Sequence, residues 1–171
     1  VTGTADDEGG DMPALGASVR LSELDPHATN VAELAVLLGA GWSSQRVVQF
    51  VSGGAARVWV AMEGDAPVGA VLSLTVPPEA EVVDVVVCPA RRRRGIARAL
   101  WNYASSALQS DGVTVVHLEV RAKNAPARAL YTAMGFAVVG TRRAYYRDPI
   151  DDALVMSCAL APATSGAPGA T

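Results

Sequence analysis

The sequence predicts a mixed α/β domain, and three observations carry that expectation. Apolar, β-rich runs at 57–62, 68–76, 81–87 and 113–120 are interleaved with helical spacing at 95–109 and 125–134. Turn and cap residues separate these segments, so each apolar face needs a neighbouring element to cover it. The 171 residues are 50% hydrophobic and 18% charged, a balance typical of soluble globular domains and enough chain to bury a core.

The elements follow in order. Residues 18–21 form a short strand. Asn30, with Glu33 three positions on, makes a capping pair for a helix that runs to about Leu38 and stops at Gly39. A second short helix follows Trp42 and Ser43 and ends near Gly53. The runs RVWVAM and VGAVLSLTV flank Gly64, Asp65 and Pro67, which makes them a hairpin, and Pro77 and Pro78 turn the chain into a third strand at 81–87. Ile96, Ala99, Leu100, Tyr103, Ala107 and Leu108 recur at helical spacing over 95–109. A nearly continuous apolar run at 113–120 has strand length. Asn124 caps a helix at 125–134 that Gly135 stops, and strands at 136–140 and 154–159 close the domain. Residues 1–17 and 161–171 show no periodic apolar face and are expected to be disordered tails around a single domain at 18–160. No internal repeat is visible.

The bulk numbers limit the function classes. A net charge of -3 gives no global attraction to nucleic acid or to an anionic membrane, so any basic surface is local. Cys88 and Cys158 make neither a zinc spacing nor a disulfide framework, which fits a reducing compartment and no metal. No apolar run approaches the roughly 18 residues of a membrane span, and the acidic start lacks a signal peptide's basic and apolar regions. The expected location is cytoplasmic, without a membrane partner.

The most informative segment is VVVCPARRRRGIARAL, where a strand ends at Pro89 and passes through an arginine-rich loop into a helix. A helix starting there leaves its first N–H groups unpaired, its dipole adds positive charge, and Gly95 lets an anion approach the backbone. Four consecutive arginines also suit a nucleic-acid patch or a solvated turn. Their position at a helix start after a buried strand favours a compact polyphosphate over an extended backbone. The Walker pattern and the G-x-G-x-x-G fingerprint are both absent.

Arg92, Gly95 and Ala97 fit a signature of Gln or Arg, two residues, Gly, one residue, then Gly or Ala, and with it the segment resembles the GNAT superfamily of N-acetyltransferases. The resemblance implies the GNAT fold, a mixed, mostly antiparallel sheet of about six to seven strands flanked by about four helices. It implies acetyl-CoA as cofactor, with the pyrophosphate on Arg92, Arg93, Arg94, Gly95, Ile96 and Ala97 and the pantetheine arm on Val85, Val86 and Val87. Further on, LEVRAKNAPARALYTAMGF and RRAYYRD resemble the bacterial ribosomal-protein-alanine acetyltransferases, over about half the chain. That resemblance implies Glu119 as general base and Tyr131 as general acid, with Asn124 also reaching the cofactor. It further implies that Trp42, Arg142, Tyr145 and Tyr146 border the acceptor.

The chemistry asks for such groups independently of ancestry. An α-amine attacks a thioester only when neutral, and a pKa near roughly 8 calls for modest help from a carboxylate. The leaving thiolate needs a proton, which a positioned phenol supplies. Between Leu118 and Val120, Glu119 points away from their face, toward a cleft or toward solvent. Cys88 is a conceivable acyl-accepting thiol, but neither histidine forms a Cys-His arrangement with it, so direct transfer in a ternary complex is expected. Two departures from the family pattern stand out: Cys88 replaces an Asp before the proline, and Ala97 a more frequent Gly. The expected acceptor is a protein N-terminus, with a small-subunit ribosomal protein as the candidate, no direct nucleic-acid partner and a monomer or homodimer as the assembly. A lysine side chain or small amine is the alternative acceptor; a non-catalytic acyl-CoA- or RNA-binding module is the alternative class.

Overall fold

A computed structural model describes residues 19–25 and 30–161, so the expected tails, Ala161 apart, lie outside the described residues. The element order is β1 (Val19–Glu23), α1 (Val31–Leu38), α2 (Ser44–Ser52), β2 (Ala56–Glu63), β3 (Ala66–Val76) and β4 (Glu79–Val87), followed after a short 3-10 turn by α3 (Ile96–Ser110), β5 (Val115–Arg121), α4 (Ala125–Ala133), β6 (Ala137–Arg147) and β7 (Ile150–Ala159). The strands form one seven-stranded sheet in the order β1-β2-β3-β4-β5-β7-β6. Every neighbouring pair is antiparallel except β4 and β5. This is the GNAT fold that the resemblance implied.

Strand alternation divides the core in two. Trp59 and Ala61 of β2 join Leu100, Trp101 and Leu108 of α3 and Leu118 of β5 on one face, against which Leu130 and Tyr131 of α4 pack. Val58, Val60 and Met62 of β2 point the other way and meet Leu34 of α1 and Val47 of α2. The sheet therefore carries α3 and α4 on one face and α1 and α2 on the other. Both faces of β2 and β3 are buried, which explains their nearly unbroken apolar sequences.

The feature that creates a site is the brevity of the parallel pairing. β4 and β5 are joined from Glu79↔Val115 to Val82↔Leu118 and no further. At that point β4 carries a bulge: Ser73 of β3 faces Val82 while the adjacent Leu72 faces Asp84, so Val83 is the extra residue. A bulge bends its strand and sharpens its twist, and the two strands part beyond it. Val85, Val86 and Val87 keep β3 partners on one side and have no strand on the other.

Three sequence expectations need correction. Asn30 precedes α1, but its side chain makes no cap bond. It turns toward β2, where Nδ2 donates to Met62 Sδ at 3.5 Å. The final hairpin is longer than its apolar stretches, because backbone pairing carries β6 through Arg147 and starts β7 at Ile150 across charged residues. The segment expected to lie between strands is thus strand itself, interrupted by a register shift between Arg142 and Tyr146 with Ala144 at a φ of 50°. Finally, β5 starts at Val115, after the amides of Thr114 and Val115 bond Pro78 O.

Gly69 of β3 fixes how closely α3 approaches. A Cβ there would lie 3.0 Å from Leu100 Cδ1, 3.1 Å from Ile96 Cγ2 and 3.2 Å from the carbonyl of Val86. Ile96 opens α3, so crowding here displaces the helix start. Gly69→Val is expected to cost about 1–3 kcal/mol of stability, as overpacking usually does, measured as a shifted urea midpoint.

Candidate active site

The gap between β4 and β5 is closed at one end by the loop into α3. Gly95, at a φ of 76°, occupies the cap position and has no side chain to satisfy the first-turn amides of this 15-residue helix. Arg93 also has a positive φ, 64°. Uncapped N–H groups, the helix dipole and a backbone bare of Cβ at Gly95 fit a pyrophosphate. The four arginines divide their work. Arg91 binds Glu63 Oε2 through Nε at 2.8 Å and Nη2 at 2.6 Å, tying the loop to β2. Arg92 folds back so that Nε donates to Val87 O at 3.1 Å. Arg93 and Arg94 are exposed at the loop surface.

Along the gap, every second N–H and C=O of a strand points to each flank, so the unpaired flank of β4 at 85–87 offers hydrogen bonds to an extended, amide-bearing chain. Val85 and Val87 pack toward α3 and Val86 toward α1, which holds that stretch rigid. Ala97 is half-buried against the larger core.

Across the gap, Leu118 and Val120 are buried in the larger core, so Glu119 points to the α1/α2 face, with its side chain 19% exposed. The side chain is thus largely covered and not open to solvent. Its Oε1 pairs with Arg142 Nη1 at 3.0 Å. Arg142 also lies over the Tyr145 ring at 5.5 Å, and Tyr145 meets Tyr146 edge-on at 5.2 Å. Arg121 covers the other face of this group, 4.0 Å from the Tyr146 centroid. Burial is the main reason the Tyr146 phenol is pushed above its ordinary value, and the Glu119 charge adds to it.

Tyr131 comes from below. It packs against the larger core, edge-on to Phe136 at 6.0 Å. Burial pushes its phenol up to about 12, helped by the negative charge of Asp84 and by Tyr146. Tyr131 therefore keeps its proton throughout the working range. Its helix is held at both ends. Asn124 Oδ1 accepts from Ala127 N at 3.2 Å, the expected cap, and Trp101 Nε1 donates to Met134 O at 3.2 Å just past the last turn. Gly135, at a φ of 93°, ends it as expected.

Glu119, Arg142, Tyr145 and Tyr146 thus form one linked group, and Tyr131 feels the charges of Tyr146 and of Asp84 on β4. Trp42 lies in the α1/α2 layer, its ring 5.4 Å from Phe50 and 5.3 Å from Arg46, and packs against the same core as Val86. Two features escaped sequence reasoning. Asp84 is a half-buried carboxylate at the bulge itself, and its only signal was to be the one charge in VVDVVV. The buried Asp151 accepts from Lys123 N at 3.3 Å and Asp152 N at 2.9 Å, while Asp152 Oδ1 accepts from Ala144 N at 2.8 Å. With Arg121 donating to the carbonyls of Asp148 and Pro149 at 3.0 Å each, these bonds clamp the β6–β7 hairpin beside Glu119.

Comparison with known proteins agrees with this fold. The family model described as "Acetyltransferase (GNAT) family" matches residues 24–136, more than half of the chain. The [ribosomal protein bS18]-alanine N-acetyltransferase of Escherichia coli K12 is 41% identical over 81 residues, covering 46% of this chain and 55% of that protein. A mycothiol acetyltransferase of Beutenbergia cavernae is 32% identical over 134 residues, covering 77% of this chain and 42% of that protein. The chain thus spans about half the length of the curated relatives it matches. Among solved structures, the ribosomal-protein-S18-alanine N-acetyltransferase from Escherichia coli superposes with a TM-score of 0.73 at 27% identity, covering 88% of this chain and 99% of that one.

Trp101→Phe removes the indole donor to Met134 O and leaves that buried carbonyl only the weak Cys158 Sγ donor at 3.9 Å. The expected loss is about 1–3 kcal/mol by urea unfolding.

Proposed function

The chain belongs to the GNAT acetyltransferase family, and on that premise we propose that it moves acetyl from acetyl-CoA to the α-amine of a protein N-terminus, with the N-terminal alanine of a small-subunit ribosomal protein as the candidate acceptor. The observation that carries this reading is the interruption of β4–β5 pairing, with Glu119 on one bank and a strand flank and helix start suited to the donor on the other. The Escherichia coli relative, a ribosomal protein bS18-alanine N-acetyltransferase, supports the acceptor.

In this reading the amides at 93–97 hold the pyrophosphate of acetyl-CoA, the β4 flank at 85–87 takes its amide-bearing arm, and Asn124 lies at the near end of α4. The donor supplies an acyl group activated as a thioester. Glu119 accepts a proton from the acceptor nitrogen, on the face where Arg142, Tyr145 and Tyr146 border the incoming peptide. Tyr131 delivers its own proton to the departing sulfur, a role for which a phenol held neutral is suited. No covalent step on Cys88 is required. Among the described residues no helix is long and apolar enough to cross a membrane.

A small-molecule amine is a second reading, favoured by the mycothiol acetyltransferase match, which takes in more of the chain than the ribosomal one. Incubation with acetyl-CoA and a mixture of an alanine-starting ribosomal peptide, an N-blocked lysine peptide and small amines separates the acceptors by mass spectrometry. Label on the peptide α-amine is the expected result; label only on lysine or a small amine replaces the acceptor. Glu119→Gln and Tyr131→Phe should each lower kcat by about 10²–10⁴, the usual worth of a positioned acid or base. The Gln variant should lose most at low pH, where neutral amine is scarce. Because Tyr131 sits at about 12, the wild-type profile should show no alkaline decline from this phenol below that pH.

A further inference from the structure

Acetyl transfer to an ammonium removes two protons from one nitrogen, one before attack and one after the bond to carbon has formed. One of the two ends on the thiol, and the other leaves to water. Glu119 alone would have to serve both steps while paired to Arg142 at 3.0 Å. A second carboxylate stands on the other bank of the gap. Asp84 is the first residue of β4 past the bulge, beyond the last residue paired to β5. Val85 and Val87 pack toward α3 while Val86 packs toward α1, so by alternation Asp84 lies on the α1/α2 face, the face of Glu119. It makes no ion pair among the described residues, and it is half-buried.

We propose that Asp84 is a second proton acceptor of the cleft: it seats the acceptor ammonium on the β4 bank and takes the first proton, leaving the second to Glu119. This rests on the acetyl-transfer reading above. The protons balance as follows. The ammonium N–H breaks and its proton passes to the Asp84 carboxylate. The neutral nitrogen bonds to the thioester carbon, its second proton goes to Glu119, and the C–S bond breaks with the electron pair on sulfur. Tyr131 protonates that sulfur, and the phenolate regains its proton from Asp84. Glu119 releases its proton to water. The sum is ammonium plus thioester giving amide, thiol and one proton.

The surroundings fit this exchange. The charge of Asp84 reaches Tyr131, where it helps to raise the phenol, so the two groups share one electrostatic environment. Burial pushes the Asp84 carboxyl upward, against a smaller opposing effect of its bond with the Val85 amide. That moves it toward the operating range of a base. The titratable group that feels its charge is Tyr131 from α4, and the charged pair on the facing strands is Glu119 of β5 with Arg142 of β6. The β3 residue opposite is Leu72, and the buried residues of α1 are Val31, Leu34 and Ala35, all apolar.

A raised carboxyl also has a stability sign. Protonated Asp84 favours the fold below the unfolded-state pKa, and that contribution is lost as pH rises through the folded value. At neutral pH the ionised group is therefore a cost to stability.

The test compares Asp84→Asn and Asp84→Glu with wild type, using an amine that wild type acetylates. In Asp84→Asn, kcat/KM near pH 6 should fall by about 10²-fold, and the gap should narrow as pH approaches the amine pKa near roughly 8. Asp84→Glu should restore part of the activity at low pH. The Kd for coenzyme A should not change, and the Tm at neutral pH should stay equal or rise. A wild-type pH profile in Asp84→Asn, or a uniform loss at all pH values with a lowered Tm, overturns the proposal and leaves the acetyl-transfer reading intact. A wild type that acetylates no amine overturns both.

Discussion

Parallel pairing of β4 and β5 ends at Val82 and Leu118, and the rest of the molecule is arranged around that interruption. Unpaired backbone in the middle of a sheet is costly unless something supplies partners or water reaches it. The protein builds the interruption with one extra residue, Val83, and supports it from both sides. β3 pairs with β4 through Val87, and β7 pairs with β5 through Arg121, so each bank is a well-held strand with one open flank. Gly69 allows α3 to sit close against β3, which sets the helix start at the end of the same gap.

The chemistry-bearing groups reach this gap by different routes. Glu119 arrives by strand alternation, Tyr131 by a helix pinned at Met134 O by Trp101, and Arg142 and Tyr146 by a hairpin clamped through Asp151, Asp152 and Arg121. The groups then shape one another. The Glu119 charge helps to raise Tyr146, and the Asp84 charge helps to raise Tyr131, on top of burial in each case. The outcome is a group of side chains in which the Tyr131 and Tyr146 phenols are held toward their protonated forms.

Much of this was legible in the sequence because it rests on local rules. The helix at Ile96–Ser110, the Asn124 cap, the Gly135 stop and the hairpin around Gly64 are each specified within a few residues. The loop of Arg92 to Ala97 was readable because a helix start after a strand has the same electrostatics wherever it occurs. The failures are non-local. Asn30 looked like a cap because sequence does not show Met62 beside it. The length of β6 came from pairing with β7, which overrode a run of charged and aromatic residues with no alternating pattern. Asp84 went unnoticed because its significance depends on where β5 departs, a fact carried by register and not by composition.

The central claim is that the open flank of β4 and the uncapped start of α3 together hold the donor. Amide hydrogen exchange on the full chain, with and without coenzyme A, tests it most directly. Saturation should slow exchange both at 85–87 and at 93–98, leaving the distant edge at β1 unchanged. Protection confined to the loop, with 85–87 exchanging as fast as in the free protein, would contradict it.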